Sequence, residues 1–278
     1  MQIDQKWDHL RSLLSEMGTA ILAYSGGVDS SLLLRAAAET MGQNLIAVTA
    51  VSETYSAEEL DLAKRFTALL GVRHRILQTD EFSREEFSRN GSDRCYYCKR
   101  ELFGKLRQIA DAEGIVWMLD GSNTDDLRDH RPGRKAAAEF SVRSPLAETG
   151  LSKQEIRDLA RRLGLNMWDK PSLACLSSRI PYGTRITLSL VRNIQAAEDV
   201  VRSLGIRQVR VRHHGDTARI EVDRDDLIRI MAEDARTMIV DSFKRLGYAY
   251  VCLDLEGYRT GSMNEVINKE EQTTGGVV

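Results

Sequence analysis

Residues 24–31, Tyr-Ser-Gly-Gly-Val-Asp-Ser-Ser, constrain the fold of this chain more than any other stretch. The apolar run at 20–23 before them predicts a buried strand, and the pattern from 32 to 41 predicts a helix. A strand that leads through glycines into a helix N-terminus is a geometry that binds phosphate, because bare backbone N–H groups and the helix dipole both favour an anion there. This stretch therefore predicts an α/β fold with an anion site at one strand end.

The first half of the chain alternates stretches typical of strands with stretches typical of helices. Strands are predicted at residues 20–24, 45–51, 74–78 and 116–120, and helices at residues 30–41, 57–70 and 97–112. This order, with nearly continuous apolar strands, predicts a parallel sheet covered by helices on both faces. Ligands bind at the carboxyl ends of such strands, so the loops after Tyr24, Val51 and Asp120 are the candidates for a site.

The rest of the chain completes the first domain and then predicts a smaller α+β domain. Residues 121–150 are polar and irregular, and a helix over 151–163 follows, opened by a capping box of Ser152 and Glu155. Beyond a loop at 169–187, the pattern predicts a helix at 188–204, a hairpin turning at 214–216, one helix over 225–246 and a strand at 250–255. We expect a first α/β domain over 1–185, a second domain over 186–267 and a disordered tail over 268–278.

Composition excludes several classes of protein. The 278 residues are 42% hydrophobic and 29% charged, and the formal net charge of −2 supplies no basic field for nucleic acid. The N-terminus has a charged amphipathic pattern rather than that of a secretion signal, and no run approaches the roughly 18 apolar residues of a membrane span. We expect a cytoplasmic protein with neither a membrane nor a nucleic acid as partner.

The glycine loop carries side chains suited to phosphate chemistry. Backbone amides of Gly26 and Gly27, with the hydroxyls of Ser25 and Ser30, are candidates to hold a pyrophosphate. Asp29 would repel phosphate, so its useful role is to hold Mg²⁺ that bridges phosphate oxygens. The loop has no lysine at its end and is therefore not a Walker A motif. The alternative is a plain tight turn, with Ser25 or Asp29 acting only as a cap or first-turn residue.

Four cysteines in a reducing compartment do not form a disulfide framework. Cys95 and Cys98 make a Cys-x-x-Cys pair, which is half of a structural zinc site. With Cys175, in a loop rich in hydroxyls and flanked by cations, they supply three thiolates that suit a [4Fe–4S] cluster with one open position. The alternative is three unrelated thiols. Cys252 lies in an apolar predicted strand and is assigned to core packing.

Several further motifs carry a resemblance that covers nearly the whole chain. They lie at residues 23–30, 120–126, 131–133, 143–146, 175–183, 209–212 and 258–264. With these motifs the sequence resembles the LarE family of ATP-dependent sacrificial sulfur transferases, within the PP-loop ATP pyrophosphatases. The glycine loop alone is shared with tRNA thiolases, GMP synthetase and NAD synthetase, whereas the Cys175 loop followed by Arg-Val-Arg narrows the resemblance to this family.

The resemblance implies a PP-loop fold and a two-stage reaction. ATP would adenylate a carboxylate of pyridinium-3,5-biscarboxylic acid mononucleotide, and sulfur would then replace an oxygen to give a thiocarboxylate, in the biosynthesis of the nickel-pincer nucleotide cofactor of lactate racemase. In this family the sulfur comes either from a lone cysteine at the Cys175 position, which is consumed, or from a cluster held by three cysteines. Because all three are present, the cluster route is expected, with ATP, Mg²⁺ and [4Fe–4S] as cofactors. Sulfide or another sulfur donor is the expected partner, and a hexamer the expected assembly.

The resemblance also suggests roles for residues around the reacting atoms. Cys175 would present or bind the attacking sulfur, and Ser178 and Arg179 would orient the phosphate or stabilise the developing oxyanion. Gly121 and Asn123, after the predicted strand at 116–120, are expected to contact ATP.

A last set of polar residues is expected to bind the substrate: Asp125, Asp126, Arg210 and Arg212. Arg210 and Arg212 are two apart on a predicted strand, so both face one side and suit the phosphate of a mononucleotide. Glu198 and Glu221 are weaker candidates to join them with a metal. The alternative is that the two arginines are merely solvated.

Two other functions remain open on the residues alone. A PP-loop tRNA thiolase would also use three cysteines, although the balanced charge and the lack of an added RNA-binding domain argue against it. A non-catalytic module, either a nucleotide sensor or a zinc-stabilised scaffold, would keep the loop and the cysteines without the chemistry. His213 and His214, next to a predicted turn, are expected at the surface and are given no role.

Overall fold

The structure is a computed structural model, and it describes residues 2–52, 55–127, 132–170 and 175–259. The chain divides into two compact units, residues 1–172 and 173–278. This boundary precedes the one expected at residue 185, and the domain limits of the sequence analysis stay a prediction. The tail expected to be disordered, 268–278, lies outside the described residues, as does part of the motif at 258–264.

The first unit alternates strands and helices, as predicted. Its elements are α1 (Ile3–Met17), β1 (Ala20–Ala23), α2 (Val28–Met41), β2 (Leu45–Val51), α3 (Ala57–Leu69), β3 (Arg73–Gln78), α4 (Glu85–Ser88), α5 (Arg94–Ala112), β4 (Trp117–Leu119), α6 (Gly133–Glu139), α7 (Pro145–Glu148) and α8 (Lys153–Arg162). The second unit contains a 3₁₀ turn (Leu176–Arg179), α9 (Leu188–Ser203), β5 (Val209–His214), β6 (Thr217–Val222), α10 (Leu227–Met231), α11 (Glu233–Arg245) and β7 (Tyr250–Leu253). Within the described parts of the chain, none of the helices is both long and apolar enough to cross a membrane.

The strands of the first unit form a parallel sheet in the order β3–β2–β1–β4. Successive residues of β1 enter two different cores, because side chains along a strand alternate between faces. Leu22 belongs to the core that contains residues of α1, α2 and α8, and Ile21 belongs to the core that contains residues of α5. Helices thus cover both faces, which confirms the predicted α/β fold. The carboxyl ends of β1 and β4 lie side by side at one edge of this sheet.

The second unit is built on a three-stranded sheet in the order β5–β6–β7. β5 and β6 form the predicted antiparallel hairpin, with Val209 opposite Val222 and His214 opposite Thr217. β7 pairs in parallel with β6. Apolar residues of α9 and α11, such as Val201 and Phe243, pack on this sheet and complete its core.

The stretch 121–150, expected to be irregular, contains the two short helices α6 and α7. α6 packs along α5, and Ala136 is fully buried there. α7 begins with Pro145 at its first position, where a missing N–H is tolerated. The expectation was wrong because this stretch is rich in charged residues, and its few alanines form a helix by packing against the neighbouring α5.

The stretch 225–246, expected to be one helix, is interrupted. Ala232 has an extended conformation, with φ of −58° and ψ of 141°, between the end of α10 and the start of α11. Neither glycine nor proline occurs at this position, so the hydrophobic periodicity of the sequence continues across it and predicts a single helix. Ile230 and Ile239 both belong to the core of the second unit, one on each side of the interruption.

Cys252 is exposed, and its assignment to core packing was wrong. It lies on β7, at an edge of the three-stranded sheet, where side chains alternate between the core and the solvent. Val251 and Leu253 take the inward positions and pack against the core, so Cys252 takes an outward one.

Candidate active site

The loop between β1 and α2 has the strand–loop–helix geometry expected of an anion site. Gly26 has a φ of 72°, a backbone conformation that strains any other residue. The hydroxyl oxygens of Ser25 and Ser30 lie 3.1 Å apart. The Gly27 amide donates to the Ser25 hydroxyl at 3.4 Å. Two hydroxyls and the first turn of α2 are therefore brought together at the carboxyl end of β1.

The loop after β4 packs directly against this first turn. A Cβ atom added at Gly121 would lie 2.9 Å from the backbone nitrogen of Ser30, so the two segments approach as closely as only glycine allows. The carboxylate of Asp120 orders the loop by accepting a bond from the Ser122 amide at 3.1 Å and from the Ser144 hydroxyl at 2.7 Å. The loops after β1 and β4 thus meet at one edge of the sheet.

Asn123 joins the two loops. Its side-chain amide donates to Asp29 Oδ1 at 3.2 Å, and its Oδ1 accepts the backbone amides of Asp125 and Asp126 at 2.9 and 3.3 Å. Asp126 in turn accepts the backbone amide of Asn123 at 3.0 Å. Asn123 is buried, so its orientation is fixed. The candidates Asn123, Asp125 and Asp126 therefore order the loop that faces Asp29.

Lys153 is a residue of this site that the sequence analysis missed. Its ammonium donates to Asp29 Oδ2, and its backbone amide donates to Asp125 Oδ2 at 2.7 Å. Lys153 is the first residue of α8 and lies between Ser152 and Glu155 of the predicted capping box. The sequence marks the start of this helix, but nothing in its pattern indicates that the helix start lies beside a loop more than a hundred residues earlier.

Tyr55 also contacts the glycine loop and was not anticipated. Its hydroxyl donates to the backbone oxygen of Ser25 at 3.5 Å. Burial, assisted by the carboxylate of Glu59, raises the pKa of Tyr55 to about 12. The phenol is therefore neutral at physiological pH and acts as a hydrogen-bond donor beside the loop.

Cys95 and Cys98 lie on successive turns of α5 and share one side of that helix. Cys95 is exposed, Cys98 is half-buried, and neither is in a disulfide. Among the described residues, no group of three or more His, Cys, Asp or Glu side chains is arranged to hold a metal ion. The assignment of these thiols to an iron–sulfur cluster stays a prediction.

Cys175 is exposed at the head of the 3₁₀ turn in the second unit. Its backbone oxygen accepts the Ser178 amide at 2.9 Å and the Arg179 guanidinium at 3.1 Å. Arg179 also donates to the Ser178 hydroxyl at 3.1 Å and to both carboxylate oxygens of Glu198, at 2.7 and 3.2 Å. Arg179 is only 1% exposed, so its visible effect is to position the turn that carries Cys175.

Arg210 and Arg212 are buried, so the alternative that they are solvated was wrong. Arg212 donates to Glu221 at 2.7 Å and to the backbone oxygen of Ser178 at 3.1 Å. The guanidinium of Arg210 lies over the ring of Tyr258, with 5.3 Å to the ring centroid. The strand spacing places both arginines on one face, and α9 and the 3₁₀ turn supply neighbours that no sequence pattern indicates.

Five charged side chains form a buried arginine–glutamate set: Arg179, Arg210, Arg212, Glu198 and Glu221. Burial raises the pKa of the Glu198 carboxyl, but Arg179, Arg202 and Arg210 outweigh burial and hold that pKa below its usual value. Burial, followed by the nearby Arg179, lowers the pKa of Arg210 to about 10, so it is still a cation at neutral pH. Three buried cations thus face two buried anions, an arrangement that favours a further anion.

His213 is half-buried and His214 is exposed, beside the hairpin turn. Burial lowers the pKa of both imidazoles, and neighbouring arginines lower that of His214 further. Both are therefore neutral at physiological pH. Nothing in their contacts assigns them a role in the site.

Comparisons with known proteins agree with this arrangement. The asparagine synthase family matches residues 20–119, which include β1, the glycine loop and β4. An uncharacterized protein from Synechocystis sp. is 43% identical over 267 residues, which are 96% of this chain and 100% of that protein. The pyridinium-3,5-bisthiocarboxylic acid mononucleotide synthase of Lactiplantibacillus plantarum is 37% identical over 266 residues, 95% of this chain and 96% of the relative. An uncharacterized protein from Methanocaldococcus jannaschii is 32% identical over 243 residues, 86% of this chain and 90% of that protein.

Proposed function

This chain belongs to the family of the pyridinium-3,5-bisthiocarboxylic acid mononucleotide synthase of L. plantarum, and we propose that it makes the same kind of product. It uses ATP to adenylate a carboxylate of pyridinium-3,5-biscarboxylic acid mononucleotide and then converts that carboxylate to a thiocarboxylate, for the nickel-pincer nucleotide cofactor. The observation that carries the proposal is the meeting of the glycine loop, Gly121 and the Asn123–Asp29 contact at one sheet edge.

Activation takes place in the first unit. A carboxylate is a poor acyl electrophile, and attack of its oxygen on the α-phosphorus of ATP gives an acyl adenylate with AMP as a good leaving group. The loop amides of Gly26 and Gly27 and the hydroxyls of Ser25 and Ser30 hold the departing pyrophosphate. Asp29 would hold the Mg²⁺, which would offset charge on the phosphates. Asn123 supports this role, since it fixes the Asp29 carboxylate through a 3.2 Å hydrogen bond.

Sulfur transfer depends on Cys175. A sulfur nucleophile at this position attacks the acyl carbon, and AMP departs with the electron pair of the broken bond. Arg179 supports the step as a positioning residue, because it binds the backbone of Cys175 and is itself held by Glu198. Ser178, whose hydroxyl accepts from Arg179, is a candidate donor to the developing oxyanion.

The phosphate of the substrate mononucleotide is assigned to Arg210 and Arg212. Both are buried, and the excess of buried cations over anions in their set supports anion binding. Glu221 holds Arg212 through an ion pair, and Glu198 holds the neighbouring Arg179 in the same way. Asp125 and Asp126 are also assigned to the substrate, and their contacts with α8 and Asn123 order the loop after β4.

The sulfur source is assigned to a [4Fe–4S] cluster held by Cys95, Cys98 and Cys175. The donor chemistry fits, because none of the three cysteines is in a disulfide and two of them share one side of α5. When bound, such a cluster supplies a site for the sulfide that is transferred. The alternative is that Cys175 gives up its own sulfur and each chain acts once. We also assign the chain a cytoplasmic location and, by the family resemblance, a hexameric assembly.

Pyrophosphate release tests the activation step. With Mg²⁺ and ATP, release should require the pyridinium substrate and should be lost in Asp29→Ala. Glu233→Ala, in an exposed ion pair of the second unit, is the matched control and should keep full activity. Release that is stimulated by tRNA alone would instead identify a tRNA thiolase and would overturn the proposal.

Mass spectrometry of the chain after turnover tests the sulfur source. An unchanged mass after several product molecules per chain supports the cluster, and loss of one sulfur at Cys175 shows sacrifice. Anaerobically purified protein should have the visible absorption of an iron–sulfur cluster, which Cys95→Ala removes and Cys252→Ala leaves intact. Colourless protein with stoichiometric zinc would contradict the cluster assignment.

A further inference from the structure

We propose that Arg219, on β6, is a further substrate-binding residue, which contacts the phosphate of the mononucleotide beside Arg212 and makes the site prefer nucleotides to nucleosides. The proposal rests on the proposed function, since it concerns the phosphate that is assigned to Arg210 and Arg212. It deepens that function by naming the arginine that is open to solvent and the specificity that this arginine confers.

The pairing of β5 with β6 brings Arg219 to the assigned arginines. Arg212 and Arg219 stand directly opposite each other in the hairpin, and Arg210 stands opposite Glu221. Because side chains at alternate positions of a strand share a face, all four lie on one face of the sheet. Like charges directly opposite each other destabilise a pair of strands. The placement of Arg212 and Arg219 therefore favours an anion beside them.

Glu221 supplies part of that negative charge. Its Oε2 accepts a hydrogen bond from Arg212 at 2.7 Å and its Oε1 accepts one from Arg219 at 3.1 Å, so one carboxylate bridges two guanidiniums. A second carboxylate, that of Asp254, lies 3.7 Å from Arg219 Nε and also pairs with Arg259 at 3.5 Å. In this group three arginines share two carboxylates. The positive charge that is left over suits a phosphate, which carries about two negative charges.

Arg219 is the accessible arginine beside Glu221. Its side chain is 31% exposed, against 6% for that of Arg212. A guanidinium has five N–H donors, and among the described residues the one hydrogen bond of Arg219 is that to Glu221. Arg219 therefore has donors left for a ligand, in the forked geometry that suits a phosphate.

The open part of this sheet face lies around Arg219. Along β5, Arg210 and Arg212 are buried, while His214, the next residue on the same face, is exposed beside the hairpin turn. On β7, the residue paired with Arg219 is Cys252, a small side chain that is also exposed. On this face, solvent thus reaches Arg219 but not the two buried arginines. Arg219 is placed to receive an anion that arrives from solution.

The contact acts on binding and not on the chemical step. Sulfur replaces an oxygen of a carboxylate on the pyridinium ring, and no bond to the phosphate forms or breaks. Arg219 makes the same contact before and during the reaction, and such uniform binding lowers KM without changing kcat. Its contribution is therefore to affinity and to the selection of the phosphorylated substrate.

Steady-state pyrophosphate release measures this selection. The full chain is assayed with the mononucleotide and with the corresponding nucleoside, which lacks the phosphate. Arg219→Gln should lower kcat/KM for the mononucleotide by about tenfold to a hundredfold, the range of a lost hydrogen bond to a charged group. The loss should be in KM, with kcat retained. For the nucleoside, kcat/KM should stay within about twofold.

Arg202→Gln is the matched control. Arg202 is 35% exposed and bonds Glu198 at 2.6 Å, but Asp199 pairs with it at 2.7 Å and neutralises its charge. This variant should leave both values of kcat/KM within about twofold of wild type. Arg219→Lys keeps the charge without the fork, so its loss with the mononucleotide should be smaller than that of Arg219→Gln. Equal losses in the lysine and glutamine variants would contradict a role for the charge.

The outcomes separate this inference from the proposed function. If wild type releases no pyrophosphate with the mononucleotide, the proposed function is wrong and the inference falls with it. If wild type is active and Arg219→Gln has the same kcat/KM, only the inference is wrong. Equal losses with mononucleotide and nucleoside, or a loss in kcat alone, would show that Arg219 merely supports the fold and would also overturn the inference. Thermal unfolding shows whether each variant is folded, and Arg219→Lys serves as the test if Arg219→Gln is not.

Discussion

The two groups of charged residues in this protein are built on opposite principles. The glycine-loop site in the first unit uses backbone amides and a half-exposed pair, Asp29 and Lys153. The arginine–glutamate set in the second unit places five charges in the interior, none more than 5% exposed. A half-exposed pair costs little to open for a ligand, whereas a buried set is stable only while every charge keeps its partners. The first group is thus suited to exchange ligands. The second holds a turn and a strand in place around the two arginines that are assigned to the substrate phosphate.

Each group also depends on a different part of its unit. The loop site is made by the ends of β1 and β4, with α8 as its neighbour. In the second unit, Glu198 of α9 bonds Arg179 of the 3₁₀ turn and also accepts the backbone amide of Val211 in β5 at 3.2 Å. One carboxylate thus ties three elements together. We therefore expect substitutions in the arginine–glutamate set to lower the stability of the protein. Substitutions in the glycine-loop site should mainly weaken ligand binding.

The largest expected effect is that of Glu198→Ala. The change leaves Arg179 buried without its anionic partner, and an unpaired buried charge costs about 3–5 kcal/mol of unfolding free energy. Urea unfolding followed by circular dichroism measures the loss. Glu233→Ala, whose partner Arg236 is on the surface, should stay within about 0.5 kcal/mol of wild type. Equal stability of the two variants would refute the view that the buried set holds the unit together.

Lowering the pH should reduce the stability of the protein through the same arginine–glutamate set. Burial raises the pKa of Glu198, but its arginine neighbours prevail, and the folded-state pKa lies below the usual 4.5. A lowered pKa contributes stability that is complete above pH 4.5 and is lost as pH falls toward the folded-state value. Unfolding free energies measured from about pH 6 to pH 3 should therefore fall more steeply in wild type than in Glu198→Gln. Parallel pH curves would show that Glu198 does not titrate as described.

Gly121→Ala tests the close approach of the two loops in the first unit. The new Cβ would meet the backbone of Ser30 at 2.9 Å, so the loops must separate, at a cost of about 1–3 kcal/mol. Affinity for a non-hydrolysable ATP analogue, α,β-methylene ATP, should fall in parallel. Gly104→Ala, where the nearest atom lies 3.6 Å away in Phe140, is the control and should leave nucleotide binding unchanged. Normal nucleotide affinity in Gly121→Ala would mean that the loop contact is not part of the site.

The smallest expected effects come from two helix caps, one in each unit. Ser152 caps α8 and Thr187 caps α9, each through a side-chain oxygen that accepts a backbone amide. Alanine at either position should cost about 1 kcal/mol of stability. Only Ser152→Ala should also weaken binding of the ATP analogue, because it loosens the helix start from which Lys153 bonds Asp29 in the glycine-loop site. If Thr187→Ala weakens that binding equally, the cap acts through general stability and not through the lysine.

Much of the first unit could be predicted because its signals are local. The apolar strands, the glycine loop and the capping box of Ser152 and Glu155 each occupy a few consecutive residues, and each appears in the structure as expected. Predictions went wrong where a neighbour decides the outcome. Ala136 lies in a helix that packs against α5, Ala232 interrupts a helical pattern, and Cys252 faces outward because its neighbours on β7 take the core positions.

The sequence by itself determined the order of strands and helices, the α/β class and the position of the anion loop, since these follow from hydrophobic periodicity and from the backbone freedom of glycine. Only the tertiary structure decided which charges meet. The pairing of Lys153 with Asp29, and that of Glu198 with Arg179, joins residues on different elements. Such pairs form because packing brings helix starts, turns and strand faces together, and a buried or half-buried charge needs a partner wherever the fold places it.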